Sequence, residues 1–239
     1  MIGTGMSAPD NQRLDPRRHS MLHAMDIDVW LQRGAVAQPS SISDTLATGN
    51  SAVLDWPELQ TSVAACTACE LHRSRSQTVF GVGSRQADCL VIGEAPGAEE
   101  DRRGEPFVGP AGQLLNAMLA AMGLSRDDVY IANILKCRPP GNRDPEHHEV
   151  SECSGYLARQ IALVEPRIIL ALGRIAAQNL LHTATPIGQM RGQQYTYGDT
   201  EIPVIVTYHP AYLLRSPGEK RKSWDDLQLA MTYLAEVKA

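Results

Sequence analysis

Long apolar runs are missing from this 239-residue chain. None approaches the roughly 18–20 residues needed to span a bilayer, so no membrane partner is expected. No secretory leader is expected either, because the apolar stretch at 22–31 is interrupted by Asp26 and Asp28. Cysteine is scarce and odd in number, five in all. With no export signal, that argues against a disulfide framework and for a reducing compartment, the cytoplasm. Aromatics make up only 5% of the chain and include just two phenylalanines. A net positive charge is also lacking: the balance of −5 provides none of the overall basic field that marks many nucleic-acid-binding domains. Basic residues nonetheless gather at Arg73 and Arg75, Arg102 and Arg103, Lys136 and Arg138, and across residues 215–222. Any one such group, taken alone, reads as solvated surface.

The composition that is present is ordinary for a globular protein, with 43% hydrophobic residues. Residues 1–52 mix Gly, Ser, Pro, Asp and Arg with little periodicity and read as a flexible extension and linker. Within it, residues 27–31 with Trp30 read first as a locally collapsed piece of the tail, and alternatively as a stretch apolar enough to dock on an unidentified protein partner. Residues 53–239 read as one folded domain. Apolar runs at 89–92, 129–134, 168–172 and 204–206 predict buried strands of a parallel sheet. Between them, Leu114, Leu115, Met118, Leu119 and Met122 mark a helix over 111–122. Asp144 as N-cap and Pro145 at the first helical position predict another over 145–164. Helices over 173–181 and 224–237 complete the alternation. The expected fold is a three-layer α/β/α sandwich around a central four-stranded, mainly parallel sheet, with ligands bound beyond the carboxyl ends of the strands.

The least ordinary residues of the chain follow those strands. Gly93-Glu94-Ala95-Pro96-Gly97 forms a tight turn in which Glu94 could orient a water. Its glycine spacing is wrong for a phosphate-binding loop. Asn133 and Lys136-Cys137 come next, then Gly173-Arg174, then His209-Pro210. Four cysteines add a second signal. Cys66 and Cys69 form a Cys-x-x-Cys pair, and Cys137 and Cys153 lie far downstream. Close and distant thiolates together can hold a soft metal centre, zinc or iron–sulfur, although a Cys-x-x-Cys pair can also be redox-active. Cys89, inside an apolar run, reads as a buried thiol.

From about residue 54 onward the chain resembles the family 4 uracil-DNA glycosylases, the iron–sulfur group of the uracil-DNA glycosylase superfamily. The residues that carry the resemblance are Cys66-x-x-Cys69, the 93–101 loop GEAPGAEED, PFVGPAGQLL at 106–115, NILKCRPPGNR at 133–143, Cys153, Ala171-Leu172-Gly173, and HPAYLLR at 209–215. Taken in this order they are specific, although no single one is. The resemblance implies a [4Fe–4S] cluster on Cys66, Cys69, Cys137 and Cys153. It implies a base pocket in which Phe107 stacks, Asn133 reads the uracil edge, Ala95 lines the turn and Glu100 sits near C5. It gives Glu94 and His209 catalytic roles, and it makes Leu213, Leu214 and Arg215 a DNA-inserting segment. A basic residue common after Phe-Val-Gly in relatives is replaced by Pro110. The insertion that marks covalent uracil-trapping relatives is absent.

The function implied is hydrolysis of the N-glycosidic bond of uracil in single- and double-stranded DNA by a monomer, the opening step of base excision repair. The alternative is a non-catalytic iron–sulfur module that binds DNA or a polymerase.

Overall fold

A computed structural model describes residues 53–236. The extension expected over 1–52, with its apolar stretch at 27–31, lies outside the described residues. The strands are β1 (Val82–Gly83), β2 (Cys89–Gly93), β3 (Val129–Asn133), β4 (Ile168–Leu172), β5 (Gln194–Thr196) and β6 (Pro203–Thr207). They form one sheet in the order β1-β3-β2-β4-β6-β5. The inner four, β3, β2, β4 and β6, are mutually parallel, while β1 and β5 pair antiparallel at the edges. The expected four-stranded sheet therefore gains two short edge strands. Their residues are only half-buried or exposed, so no apolar run announced them.

The helices are α1 (Trp56–Ala65), α2 (Ala98–Arg103), α3 (Pro110–Ala121), α4 (His147–Val164), α5 (Arg174–Leu180), α6 (Ile187–Met190), α7 (Pro210–Arg215) and α8 (Lys220–Glu236). Alternation along each strand sends successive side chains to opposite faces. Leu90, Ile92, Tyr130, Ala132, Ile169, Ala171, Val204 and Val206 pack on one face against Leu157 and Ile161 of α4 and Ala177 and Leu180 of α5. Cys89, Val91, Val129, Ile131, Ile168, Leu170 and Ile205 pack on the other, against Leu115 and Leu119 of α3, Leu213 of α7 and Leu227 of α8. Burial on both faces is why these strands read as unbroken apolar runs. The sandwich has three layers. No described helix is long and apolar enough to cross a membrane.

Two of the expected helix starts are shifted by more than one residue. α4 begins at His147 with Glu146 as its N-cap, not at Pro145. The Glu149 carboxylate accepts from the Glu146 N–H at 2.8 Å and takes both arms of the Arg143 guanidinium at 2.9 and 2.6 Å. Asp144 is drawn instead to Arg174, 2.5 Å away. The last helix starts at Lys220 and not Trp224, preceded by a short turn at Pro217–Glu219.

α7 corrects one expectation outright. Leu213 is 1% exposed and belongs to the core, whereas Leu214 is 44% exposed. Adjacent residues on a helix are about 100° apart, so with Leu213 turned to the core its neighbours Tyr212 and Leu214 point away from it on either side. Leu213→Ala should lower stability by about 2–5 kcal/mol, and Leu214→Ala by about 0.5 kcal/mol or less. Denaturant midpoints for the two variants would measure the contrast, and equal losses would contradict this placement.

Candidate active site

The carboxyl ends of the inner strands open into a cavity of about 420 Å³. Its walls include Glu94, Ala95, Glu100, Phe107, Asn133 and His209. These are all six of the pocket residues expected from sequence, brought from four separate segments. The strand register starts the convergence, because Gly93 pairs with Asn133 at the ends of β2 and β3. A Cβ on Gly93 would lie 2.5 Å from Asn133 Oδ1 and 2.6 Å from Phe107 Cζ. Only a residue without a side chain lets that amide and that ring approach.

Phe107 holds an unusual backbone, with φ of 55°. A non-glycine residue there costs on the order of 1 kcal/mol or more, and persists only when its surroundings impose it. Three features impose it here. The Glu100 carboxylate accepts from the Val108 and Gly109 N–H groups at 3.0 and 3.2 Å. Arg126 donates to the Phe107 carbonyl at 3.3 Å and to the Pro106 carbonyl. Gly112 has no Cβ, which would otherwise sit 1.7 Å from the Phe107 oxygen. Glu100 thus lines the cavity and also anchors the turn that presents Phe107. The ring ends up 5.5 Å from that of His209, tilted by 31°.

Asn133 is 2% exposed, and its Oδ1 is buried with no hydrogen-bond partner. An orphaned buried acceptor costs about 1–3 kcal/mol, so it marks a place where a donor from outside is wanted. His209 caps α7, and its Nδ1 accepts from the Ala211 N–H at 3.2 Å. That donor fixes the neutral tautomer with its proton on Nε2. Burial and the nearby Arg215 cation push the ring's pKa down to about 4, with Glu100 opposing. The Glu94 carboxyl moves the other way, to about 7, through burial and the charge of Asp144, with Arg174 opposing.

The DNA-contacting trio expected from sequence is split. Arg215 lines the cavity, Leu214 is exposed near it and Leu213 is in the core.

A second, smaller hollow is lined by Cys66, Cys69, Cys137 and Cys153. Cys66 and Cys69 follow α1, Cys137 follows β3 and Cys153 lies on α4. Arg75 donates to Cys137 Sγ at 2.9 Å, and the Lys136 N–H donates to Cys153 Sγ at 3.3 Å. Charge-assisted and amide donors to sulfur suit thiolates bound to a metal centre. Cys89 lies elsewhere, in the core, where burial raises its thiol to about 12 and leaves it unreactive.

Lys136 was not anticipated. In sequence it stands beside Arg138 like a surface cation, yet it is 1% exposed. Its Nζ donates to the Asn133 carbonyl at 2.9 Å and to Gln160 Oε1 at 2.6 Å. Asp144 and Arg126 were missed as well, since nothing local in sequence marks a partner that is brought near only by folding.

The description "Uracil DNA glycosylase superfamily" belongs to a family model that matches residues 80–228, more than half of the chain. A "Type-4 uracil-DNA glycosylase" of Archaeoglobus fulgidus is 46% identical over 161 residues, covering 65% of this chain and 81% of that protein. Its namesake from Pyrobaculum aerophilum is 40% identical over 182 residues, covering 74% and 93%. One from Thermotoga maritima is 39% identical over 175 residues, covering 72% and 91%. The chain belongs to the type-4 uracil-DNA glycosylase family. In this family member the electrostatics of His209 give a direct test. Its ring is expected to stay neutral and Nε2-protonated until about pH 4, which ¹⁵N chemical shifts would report. An unfolded His takes its proton near pH ~6.5. The unfolded chain therefore binds the extra proton between these values, and this contribution to stability is lost as pH falls from ~6.5 toward 4. A ring charged at its ordinary value would contradict the placement.

Proposed function

We propose that the protein hydrolyses the N-glycosidic bond of 2′-deoxyuridine in single- and double-stranded DNA, releasing uracil and leaving an abasic site. The observation that carries the reading is the unpartnered, buried Asn133 Oδ1 beside an aromatic face and a neutral imidazole donor. An everted uracil stacks on Phe107. Its N3–H donates to Asn133 Oδ1, and the Asn133 amide N–H donates to O4. Cytosine offers the opposite pattern at those atoms and would leave buried groups unpaired, at about 1–3 kcal/mol each. Glu100 stands where thymine's methyl group would have to fit.

Cleavage breaks the C1′–N1 bond and leaves its electron pair on the base. The Nε2–H of His209 donates to O2, where that charge develops, so it stabilises the transition state more than the ground state. A neutral donor suits this role because it keeps its proton. Ionised Glu94 opposes the oxocarbenium charge on the sugar and orients the water that adds to C1′, whose proton passes to solvent. Leu214 enters the stack to offset the few kcal/mol of extrusion, and Arg215 meets phosphate.

Cys66, Cys69, Cys137 and Cys153 would hold a [4Fe–4S] cluster, which would cross-link α1, the segment after β3 and α4. Membership of the type-4 family favours iron–sulfur over zinc at these four thiolates.

Asn133→Ala and His209→Ala should each cut uracil release from an oligonucleotide by about tenfold or more, with fold and visible absorption kept. Alkaline cleavage of the abasic product measures it, and near-normal turnover by both variants would overturn the pocket assignment. Because the Glu94 carboxyl is held at about 7, kcat/KM should climb about tenfold per pH unit below that value and level off above it. Glu94→Gln should remove that limb. The purified protein should be brown and contain about four iron atoms per chain. A colourless, zinc-loaded protein would overturn the cluster assignment.

A further inference from the structure

We infer that Tyr212 is a stacking platform for the nucleobase adjacent to the everted uracil on the same strand, a placement that rests on the pocket reading above and extends it beyond the excised base. Tyr212 and Leu214 are two of the four exposed large hydrophobic residues among those described, and both lie on the short α7. Tyr212 also lines the cavity, together with His209 and Arg215. A lone exposed apolar side chain means little. This one differs because its ring is held in place from behind.

The Tyr212 ring packs on Tyr208 with centroids 4.9 Å apart. The Arg191 guanidinium lies over Tyr208 at 4.4 Å. Arg191 is fixed in turn by buried Asp226, Nε to Oδ2 at 2.8 Å, and by the carbonyl of Lys222. Asp226 also accepts from the Gly192 N–H at 3.1 Å. The column Asp226–Arg191–Tyr208–Tyr212 runs from the inner part of α8 to the mouth of the cavity and ends on an aromatic ring that is 36% exposed. A rigid ring loses little conformational freedom when it stacks, and every base offers it a π-face. Once uracil leaves the strand, its same-strand neighbour loses a stacking partner. A ring at the mouth of the cavity replaces that partner without reading sequence. The neighbour on the same strand is favoured over a base on the opposite strand because the ring shares the cavity wall with His209, where the everted nucleotide and its own backbone must lie.

The test uses the full-length protein with its cluster and single-stranded oligonucleotides carrying 2′-fluoro-2′-deoxyuridine, which binds without being cleaved. In parallel oligonucleotides the nucleotide on the 5′ or the 3′ side is replaced by an abasic tetrahydrofuran. The wild-type protein should bind about tenfold more weakly when one of these two neighbours lacks its base. Tyr212→Ala should bind the complete oligonucleotide about tenfold more weakly and should not respond further to removal of that neighbour. Tyr212→Phe, which keeps the ring, should recover most of the loss. A wild-type protein indifferent to both neighbours would overturn the assignment, and that result needs no variant to fold. So would a Tyr212→Ala loss that is the same with and without each neighbouring base, or a Tyr212→Phe as weak as Tyr212→Ala. Failure of the pocket reading itself would show separately, as a wild-type protein that releases no uracil from an ordinary substrate.

Discussion

Gly93 lies in register with Asn133 at the ends of two adjacent parallel strands, and the rest of the site is arranged around that pairing. Main-chain hydrogen bonds carry the register one step further, from Ile134 N–H to the Gly93 carbonyl at 3.0 Å and from Leu135 N–H to the Glu94 carbonyl at 3.1 Å. The turn that bears Glu94 and the segment that bears Asn133 are thus locked as a pair. With no Cβ on Gly93, the space between them receives the Phe107 ring from a third segment. A shift of register by one residue would reverse which side chains face the cavity. Position in this site is therefore set mainly by backbone pairing, and only secondarily by side-chain contacts.

The residues so placed are individually unfavourable. Asn133 has a buried acceptor without a donor, Phe107 has a backbone conformation disfavoured for its type, His209 is kept from its charge and Glu94 is pushed toward its neutral form. The Phe107 turn and the His209 ring are held by neighbours with no direct part in the chemistry, and the Asn133 acceptor is left open. Glu100 and Arg126 hold the Phe107 turn. The Ala211 N–H fixes the His209 ring, and the Asp144–Arg174 pair sits at the rim near Glu94. His209 and Glu94 also separate in a useful sense. One stays neutral and keeps a proton to donate, while the other loses its proton near neutrality. Burial drives both shifts, because it disfavours the charged form of either group.

How far the sequence revealed this depended on whether the physical cause was local. The inner strands are buried on both faces, so their apolar runs gave them away almost to the residue. Edge strands β1 and β5 have only two and three residues and no pattern to read. Asp144 had every local mark of an N-cap, but Arg174, thirty positions away, holds it instead. Lys136 looked like surface because a cation beside another cation usually is. Its burial depends on Gln160, which also donates to the Phe80 carbonyl and the Tyr130 hydroxyl. In the 209–215 motif the composition was legible and the facing of each residue was not. Helical phase puts Leu213 inside and leaves Tyr212 and Leu214 outside.

The two unusual regions of the chain meet in one short stretch. Asn133 lines the cavity, and Cys137 faces the cysteine hollow. Between them Ile134 and Leu135 are buried, and Lys136 reaches back to the Asn133 carbonyl. The Lys136 carbonyl accepts from the Val79 N–H at 2.8 Å, tying this stretch to the chain ahead of β1. Cys137, four positions from Asn133, is thus tied to the sheet on one side and faces the cysteine hollow on the other. A loop so short and so fully hydrogen-bonded has little freedom to absorb movement at one end without passing it to the other. Displacement at the cysteine hollow would therefore reach Asn133, and a group bound there would help decide how that amide is aimed without lining the cavity itself.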